Sequence, residues 1–151
     1  MLRDDINNAL KQAMKAHDER RVSTLRLINS ALKNADIEAR GQDKAPLSDE
    51  ELLGLLQKMI KQRQESVELY EKGERPELAA KEREEIAIIA AYLPKQMSET
   101  ETLAAIAAVI KDVGAASMKD MGKVMAALKE RHAGELDFAK ASGIVKGLLS
   151  R

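Results

Sequence analysis

Cysteine is absent from the 151 residues, which excludes disulfides, thiolate zinc sites and thiol nucleophiles. Only Tyr70, Tyr92 and Phe138 are aromatic, and this scarcity argues against RNA-binding modules that stack bases on several exposed rings. The 25 basic side chains equal the 25 acidic ones, so no overall charge attracts the protein to nucleic acid or to a membrane surface. The sequence contains no secretory leader and no apolar run near the roughly 20 residues of a membrane span. We therefore expect a soluble chain in the cytoplasm, without membrane or DNA partners.

The residues that are abundant favour helix. Ala, Leu, Glu, Lys and Arg make up just over half of the chain, and these residues lose least on entering a helix. No stretch alternates with a period of two, so the fold class is predicted to be all-α. Capping boxes at Ser48 and Ser98, Pro76 in a first turn, and the glycines Gly41, Gly73 and Gly114 mark helix boundaries. The predicted helices are 2–17, 19–40, 48–73, 76–93, 98–114, 119–132 and 137–149.

Pro94, followed by the capping box at Ser98, predicts a domain boundary. We expect a four-helix N-terminal domain over residues 1–95 and a small three-helix C-terminal domain over residues 98–151. From Gly114 onward the chain holds seven basic and four acidic side chains, so the overall charge balance conceals a basic end.

Four charged side chains fall among apolar positions when the first helices are drawn as helical wheels, namely Arg21, Arg63, Glu82 and Glu85. Burying any of them alone would cost several kcal/mol, so they are expected to pair with each other or to lie at a groove. We interpret them as a structural charge network, because no nucleophile and no cluster of metal ligands accompanies them. The alternative is a charged pocket for ligand binding or acid–base chemistry. No catalytic residue, metal site or cofactor is predicted.

The C-terminal end offers a candidate phosphate-binding surface. Lys119 and Lys123 lie four residues apart, and Lys129 and Lys146 add peripheral charges, so these lysines could hold phosphates as separate point charges. The alternative is a solvated helix face. Gly143 and Gly147 also lie four residues apart and would let a partner's backbone approach closely, or they mark a weakly held terminal helix.

Several strings of residues, in this order and spacing, resemble the GatB/YqeY family, specifically its small free-standing YqeY-like proteins, over essentially the full length. These strings are Thr24–Ile28, Lys58–Arg63, Tyr92–Pro94 and Lys119–Met125. The resemblance implies a helical N-terminal domain and a C-terminal domain similar to the tail of the GatB subunit of the tRNA-dependent amidotransferase. In that enzyme the tail contacts the outer corner of the tRNA.

The family label that comes with the resemblance is carbon–nitrogen ligase with glutamine as the amido donor. The amidotransferase makes ammonia in a separate subunit and activates its substrate with ATP and magnesium in a large catalytic domain, and this sequence shows neither part. We therefore expect a tRNA-associated accessory protein that binds RNA through Lys119, Lys123, Lys129 and Lys146. Its expected partners are tRNA, an amidotransferase or an aminoacyl-tRNA synthetase. The alternative is a protein–protein interaction module with no RNA contact.

Overall fold

A computed structural model describes residues 1–150, and within that range it contains seven α-helices, one 3₁₀ turn and no strand. The prediction of an all-α fold is confirmed. The helices are α1 (Leu2–Lys15), α2 (Glu19–Gly41), α3 (Asp49–Lys72), α4 (Pro76–Ala90), α5 (Glu99–Val113), α6 (Met121–His132) and α7 (Phe138–Leu149). The chain divides into two compact units, the N-terminal unit (Met1–Pro94) and the C-terminal unit (Lys95–Arg151). The four-helix and three-helix domains stay a prediction, since compactness alone does not show independent folding.

The core of the N-terminal unit is built from the apolar stripes of four helices. α1 contributes Ile6, and α2 contributes Leu25 and Ile28, all of which are fully buried. α3 adds Leu56 and α4 adds Ile89 to the same cluster. These side chains form one cluster, so each of the four helices turns an apolar side away from water.

Helix starts follow the capping chemistry that the sequence predicts. The Ser48 hydroxyl accepts the Glu51 amide at 3.1 Å, while the Glu51 carboxylate accepts the Ser48 amide at 3.2 Å. Ser98 and Glu101 form the same reciprocal pair, and Asp137 caps α7. Each pair satisfies amides that have no partner within the helix.

Helix ends differ from the prediction, because glycine is not the residue that turns the chain at most of them. α1 ends at Lys15, and the left-handed position that follows is His17 (φ 55°). Gly41 is still helical and Gly73 has φ −84°, whereas Asp43 and Glu74 carry φ 57°. Gly114 alone among the three predicted terminators adopts the left-handed conformation, at φ 66°. At the ends of α1, α2 and α3 the paired amide-to-carbonyl hydrogen bonds of a Schellman motif form around His17, Asp43 and Glu74. Each of these residues has a side chain, so its left-handed conformation carries a steric cost that glycine would avoid.

Replacing Glu74 with glycine is expected to stabilise the N-terminal unit by about 0.5–1 kcal/mol, because it relieves the left-handed strain by more than it loosens the unfolded chain. Urea unfolding followed by circular dichroism measures the change. Glu68→Gly, six residues earlier at an exposed position inside α3, makes the same replacement as the matched control and is expected to lose about 1 kcal/mol. Equal destabilisation by both variants would contradict the assignment of strain to Glu74.

The core of the C-terminal unit is formed by Ile106 of α5, Val124 and Leu128 of α6, and Val145 of α7, together with Leu136 in the connection before α7. α6 does not begin at the predicted Lys119, because a 3₁₀ turn over Met118–Asp120 precedes it. The N-terminal unit is thus closed around one apolar cluster and the C-terminal unit around another.

Candidate functional site

The inward charges of the N-terminal unit include one buried ion pair. Arg63 of α3 donates from Nε to Oε2 of Glu85 on α4 at 3.0 Å and from Nη1 to the carbonyl oxygen of Met59 at 3.1 Å. The Arg63 and Glu85 side chains are 15% and 8% exposed, so most of the water around both charges has been replaced by protein. The structure thus brings together two of the four residues placed in the predicted network.

The other two residues of the predicted network lie apart from this pair. Glu82 is half-buried, and Arg21 is exposed. The arginine of α2 that reaches α4 is Arg20, whose Nε lies 3.0 Å from Oε2 of Glu84 in a largely exposed pair. A helical wheel gives the direction of a side chain but not whether another element covers that turn, which is why it placed Arg21 inside.

A second charged cluster, which we call the Arg3–Asp36 clamp, was not found from the sequence. Two nitrogens of the Arg3 guanidinium hold the two oxygens of Asp36 at 2.7 and 2.9 Å. The same guanidinium donates to the carbonyl oxygen of Leu47, and the Leu47 amide donates to Asp36. The clamp lowers the pKa of Asp36 to about 2, chiefly through the hydrogen bond from Arg3 and then through that from the Leu47 amide. The guanidinium has a structural role, because it holds the connection between α2 and α3 against α1.

The two charged clusters differ in whether a surface depression adjoins them, since Asp36 lines one of two depressions and Arg63 and Glu85 line neither. Two shallow depressions in the N-terminal unit, lined by Met14 to Arg26 at one place and by Asp36 to Pro46 at another, do not include Arg63 or Glu85. Residues 1–150 contain no group of three or more His, Asp or Glu side chains arranged to hold a metal ion.

The predicted RNA-binding lysines all lie on the surface of the C-terminal unit. Lys119 projects from the 3₁₀ turn and Lys123 from the first turn of α6, and both are exposed. Asp120 lies between them, and its carboxylate accepts the amides of Ala116 and Ser117 at 2.9 and 3.3 Å. These amides lower the pKa of Asp120, so its negative charge persists beside Lys123. The candidate surface therefore combines two cations with one fixed anion.

Lys129 and Lys146 are exposed as well, near the end of α6 and in the last turn of α7. α7 contains no acidic residue, and its exposed positions include Lys140, Lys146 and several small residues. A side chain added at Gly143 or Gly147 would meet open space. Such a surface lets another backbone or a phosphate approach the helix closely between the projecting lysine side chains.

Arg131, at the end of α6, contributes less charge to this surface because it is paired. Its Nη1 lies 2.8 Å from Oδ2 of Asp112 on α5. His132 is also engaged, with Nδ1 3.3 Å from the Glu135 carboxylate. The cations of the C-terminal unit that enter no ion pair in the described residues are therefore lysines, which fits binding through point charges.

Within residues 1–150, none of the helices combines the length and the apolar composition that a membrane span requires.

Comparison with known proteins identifies a family and a set of relatives. The family model described as Yqey-like protein matches residues 3–149. The chain is 39% identical over 89 residues to "Altered inheritance of mitochondria protein 41, mitochondrial" of Lachancea thermotolerans, covering 59% of this chain and 46% of that protein. It is 38% identical over 84 residues to the protein of the same name from Vanderwaltozyma polyspora, covering 56% and 44%. The protein of that name from Eremothecium gossypii is 36% identical over 97 residues, covering 64% and 51%.

The chain spans about half the length of the curated relatives it matches. The prediction of a cytoplasmic location is contradicted, because each of these relatives is named as a mitochondrial protein. The names of the relatives mention neither tRNA nor amidation.

Proposed function

The chain belongs to the YqeY-like protein family, and on that basis we propose that it is a noncatalytic accessory protein that binds tRNA through its C-terminal unit. The observation that carries the proposal is the set of exposed lysines on α6, α7 and the preceding 3₁₀ turn, none of which enters an ion pair within residues 1–150. Lys119 and Lys123 would contact phosphates first, and Lys129 and Lys146 would add charge at the periphery.

The mode of binding follows from what the surface contains. Phe138, the one aromatic residue of the C-terminal unit, is half-buried against the apolar core, so no exposed ring is available to stack on a base. Lysines on rigid helices can instead follow the spacing of phosphates along a folded RNA, and the bare backbone at Gly143 and Gly147 allows close approach. We therefore expect recognition of shape and backbone, with modest affinity that falls steeply with salt.

Catalysis by this chain alone is not part of the proposal. The ligase label of the family requires a source of ammonia and an activated carboxylate, and this sequence has no cysteine and no glycine-rich phosphate loop. Arg63 and Glu85 form a buried charged pair, neutralise each other and line neither of the two depressions. A role beside an enzyme agrees with these features better than a role as the enzyme.

Reversing two charges tests the proposed surface. The variant K119E/K123E is expected to bind fluorescently labelled tRNA about tenfold more weakly than the wild type in low salt, and to reduce the slope of log Kd against log salt by about 2. Anisotropy titrations at two salt concentrations measure both quantities.

The matched control is K11E/K15E, because these lysines are also exposed and four residues apart but lie on α1. It makes the same change in net charge and is expected to alter Kd about twofold or less. Equal weakening by the two variants, or no tRNA binding by the wild type, would overturn the proposed surface. A wild type that binds no tRNA but retains an amidotransferase or an aminoacyl-tRNA synthetase after RNase treatment would instead favour a protein–protein interaction module.

A further inference from the structure

The exposed face of α2 carries a row of cations that the proposed RNA surface does not use. Arg26, Lys33 and Arg40 lie seven residues apart, are all exposed, and enter no ion pair in the described residues. Two turns of helix separate neighbours, so the three charges point to one side and span about 21 Å along the axis. A seven-residue spacing is the repeat with which one helix meets another lengthwise.

Apolar side chains stand beside this row although they are not part of the core. Leu27 is 43% exposed and Ile37 is 68% exposed. The remaining positions on this side include Ser23 and Ser30, which are small and also exposed. The face therefore alternates cations with apolar and small residues, which is the composition of a surface that can pack against another helix.

A shallow depression lies at each end of the row. One, of about 350 Å³, is lined by Met14, His17, Val22, Ser23, Arg26 and the exposed Glu19, which lies seven residues before Arg26 and places one acidic side chain at this end of the row. The other, of about 460 Å³, is lined by Ile37, Arg40, Lys44 and Pro46, with Asp36 at its edge. Because the Asp36 carboxylate is held by Arg3, its charge is largely neutralised and the second depression has a cationic rim around an apolar floor.

We propose that this face of α2 binds an acidic amphipathic helix of a partner protein, with carboxylates seven residues apart opposite Arg26, Lys33 and Arg40. Apolar side chains of the partner would enter the two depressions and cover Leu27 and Ile37. The exposed apolar area favours a protein over RNA, because phosphates gain nothing from Leu27 or Ile37, whereas a second helix removes both from water. The site lies in the N-terminal unit and does not depend on the lysines of the C-terminal unit.

A designed peptide tests the face without knowledge of the natural partner. The probe is a helical peptide of about 21 residues with three glutamates seven apart and leucines beside them. Titration calorimetry with the full chain in low salt is expected to show that R26E/K33E/R40E binds the peptide at least about tenfold more weakly than the wild type. Ile37→Ser, at a position too exposed to affect folding, is expected to weaken binding about threefold.

The charge-matched control is K58E/K81E/K111E, whose lysines are exposed on α3, α4 and α5. This variant and K119E/K123E are expected to bind the peptide within about twofold of the wild type. The proposal is overturned if the wild type does not bind the acidic peptide, if it binds an otherwise identical peptide with lysines for glutamates equally well, or if R26E/K33E/R40E is unchanged. Loss of tRNA binding by R26E/K33E/R40E, with peptide binding retained, would make the face an RNA surface instead.

Discussion

Glu85→Ala is expected to lower the free energy of unfolding of the N-terminal unit by about 3 kcal/mol. The truncation leaves the Arg63 guanidinium, 15% exposed, with the carbonyl of Met59 as its one remaining partner among residues 1–150. A charge left without its counter-ion in a place that water barely reaches retains its desolvation cost and loses its attraction. Urea unfolding monitored by circular dichroism measures the loss.

Glu84→Ala is the matched control, because Glu84 is the neighbouring residue, carries the same charge, and pairs with Arg20 at the same 3.0 Å in a largely exposed pair. It is expected to cost about 0.5 kcal/mol or less. The double variant R63M/E85L, which replaces both charges with apolar groups of similar volume, is expected to recover most of the stability. A loss at Glu85 no larger than that at Glu84 would show that the pair remains solvated.

Asp36→Asn is expected to destabilise the N-terminal unit by about 1–2 kcal/mol at neutral pH, because water screens the partly exposed clamp and weakens its attraction. The folded pKa of Asp36, about 2, lies below its ordinary value of 3.8. A depressed carboxyl pKa stabilises the fold above the unfolded pKa, and the contribution is lost as the pH falls from about 4 to about 2. The asparagine variant is expected to lose this part of the acid sensitivity, since its amide does not titrate in that window.

The free energy of unfolding, measured at several pH values between 2 and 7 for the wild type and for Asp36→Asn, tests this expectation. Direct titration of the Asp36 carboxyl by NMR, in the wild type and in Arg3→Met, reports the pKa itself, which is expected to rise in the variant. Parallel wild-type and Asp36→Asn curves through the acid range would contradict the role of the clamp.

Local chemistry explains which parts of the fold could be predicted. Ser48 and Ser98 begin helices because a hydroxyl followed three residues later by a glutamate satisfies amides within one turn, a relation contained in four consecutive residues. Gly114 could be predicted because a residue without a Cβ adopts the left-handed turn at no steric cost, although the same signal was wrong at Gly41 and Gly73. The helix ends at His17 and Glu74 could not be predicted, because nothing in an isolated turn requires a histidine or a glutamate to adopt positive φ.

The candidate sites also differ in whether the local sequence or only the packing of helices reveals them. Arg63 and Glu85 are 22 positions apart but each stands out on its own helix, so helical periodicity alone identified them. Arg3 and Asp36 are 33 positions apart and neither stands out, and only the packing of α1 against α2 reveals them. The row Arg26, Lys33 and Arg40 is visible in the sequence, but its significance depends on which side of α2 the rest of the unit leaves uncovered.

The clamp has a kinetic consequence. It joins residues 33 and 44 positions apart, so it closes a large loop that can form only after α1 and α2 have met. The contacts between α3 and α4 are nearer in sequence and are expected to form earlier. Interactions that are absent from the transition state act on the rate of unfolding rather than on the rate of folding. The Arg3–Asp36 clamp is therefore expected to set how long the native state survives between openings, while the speed with which the chain finds that state depends on helices that the clamp does not touch.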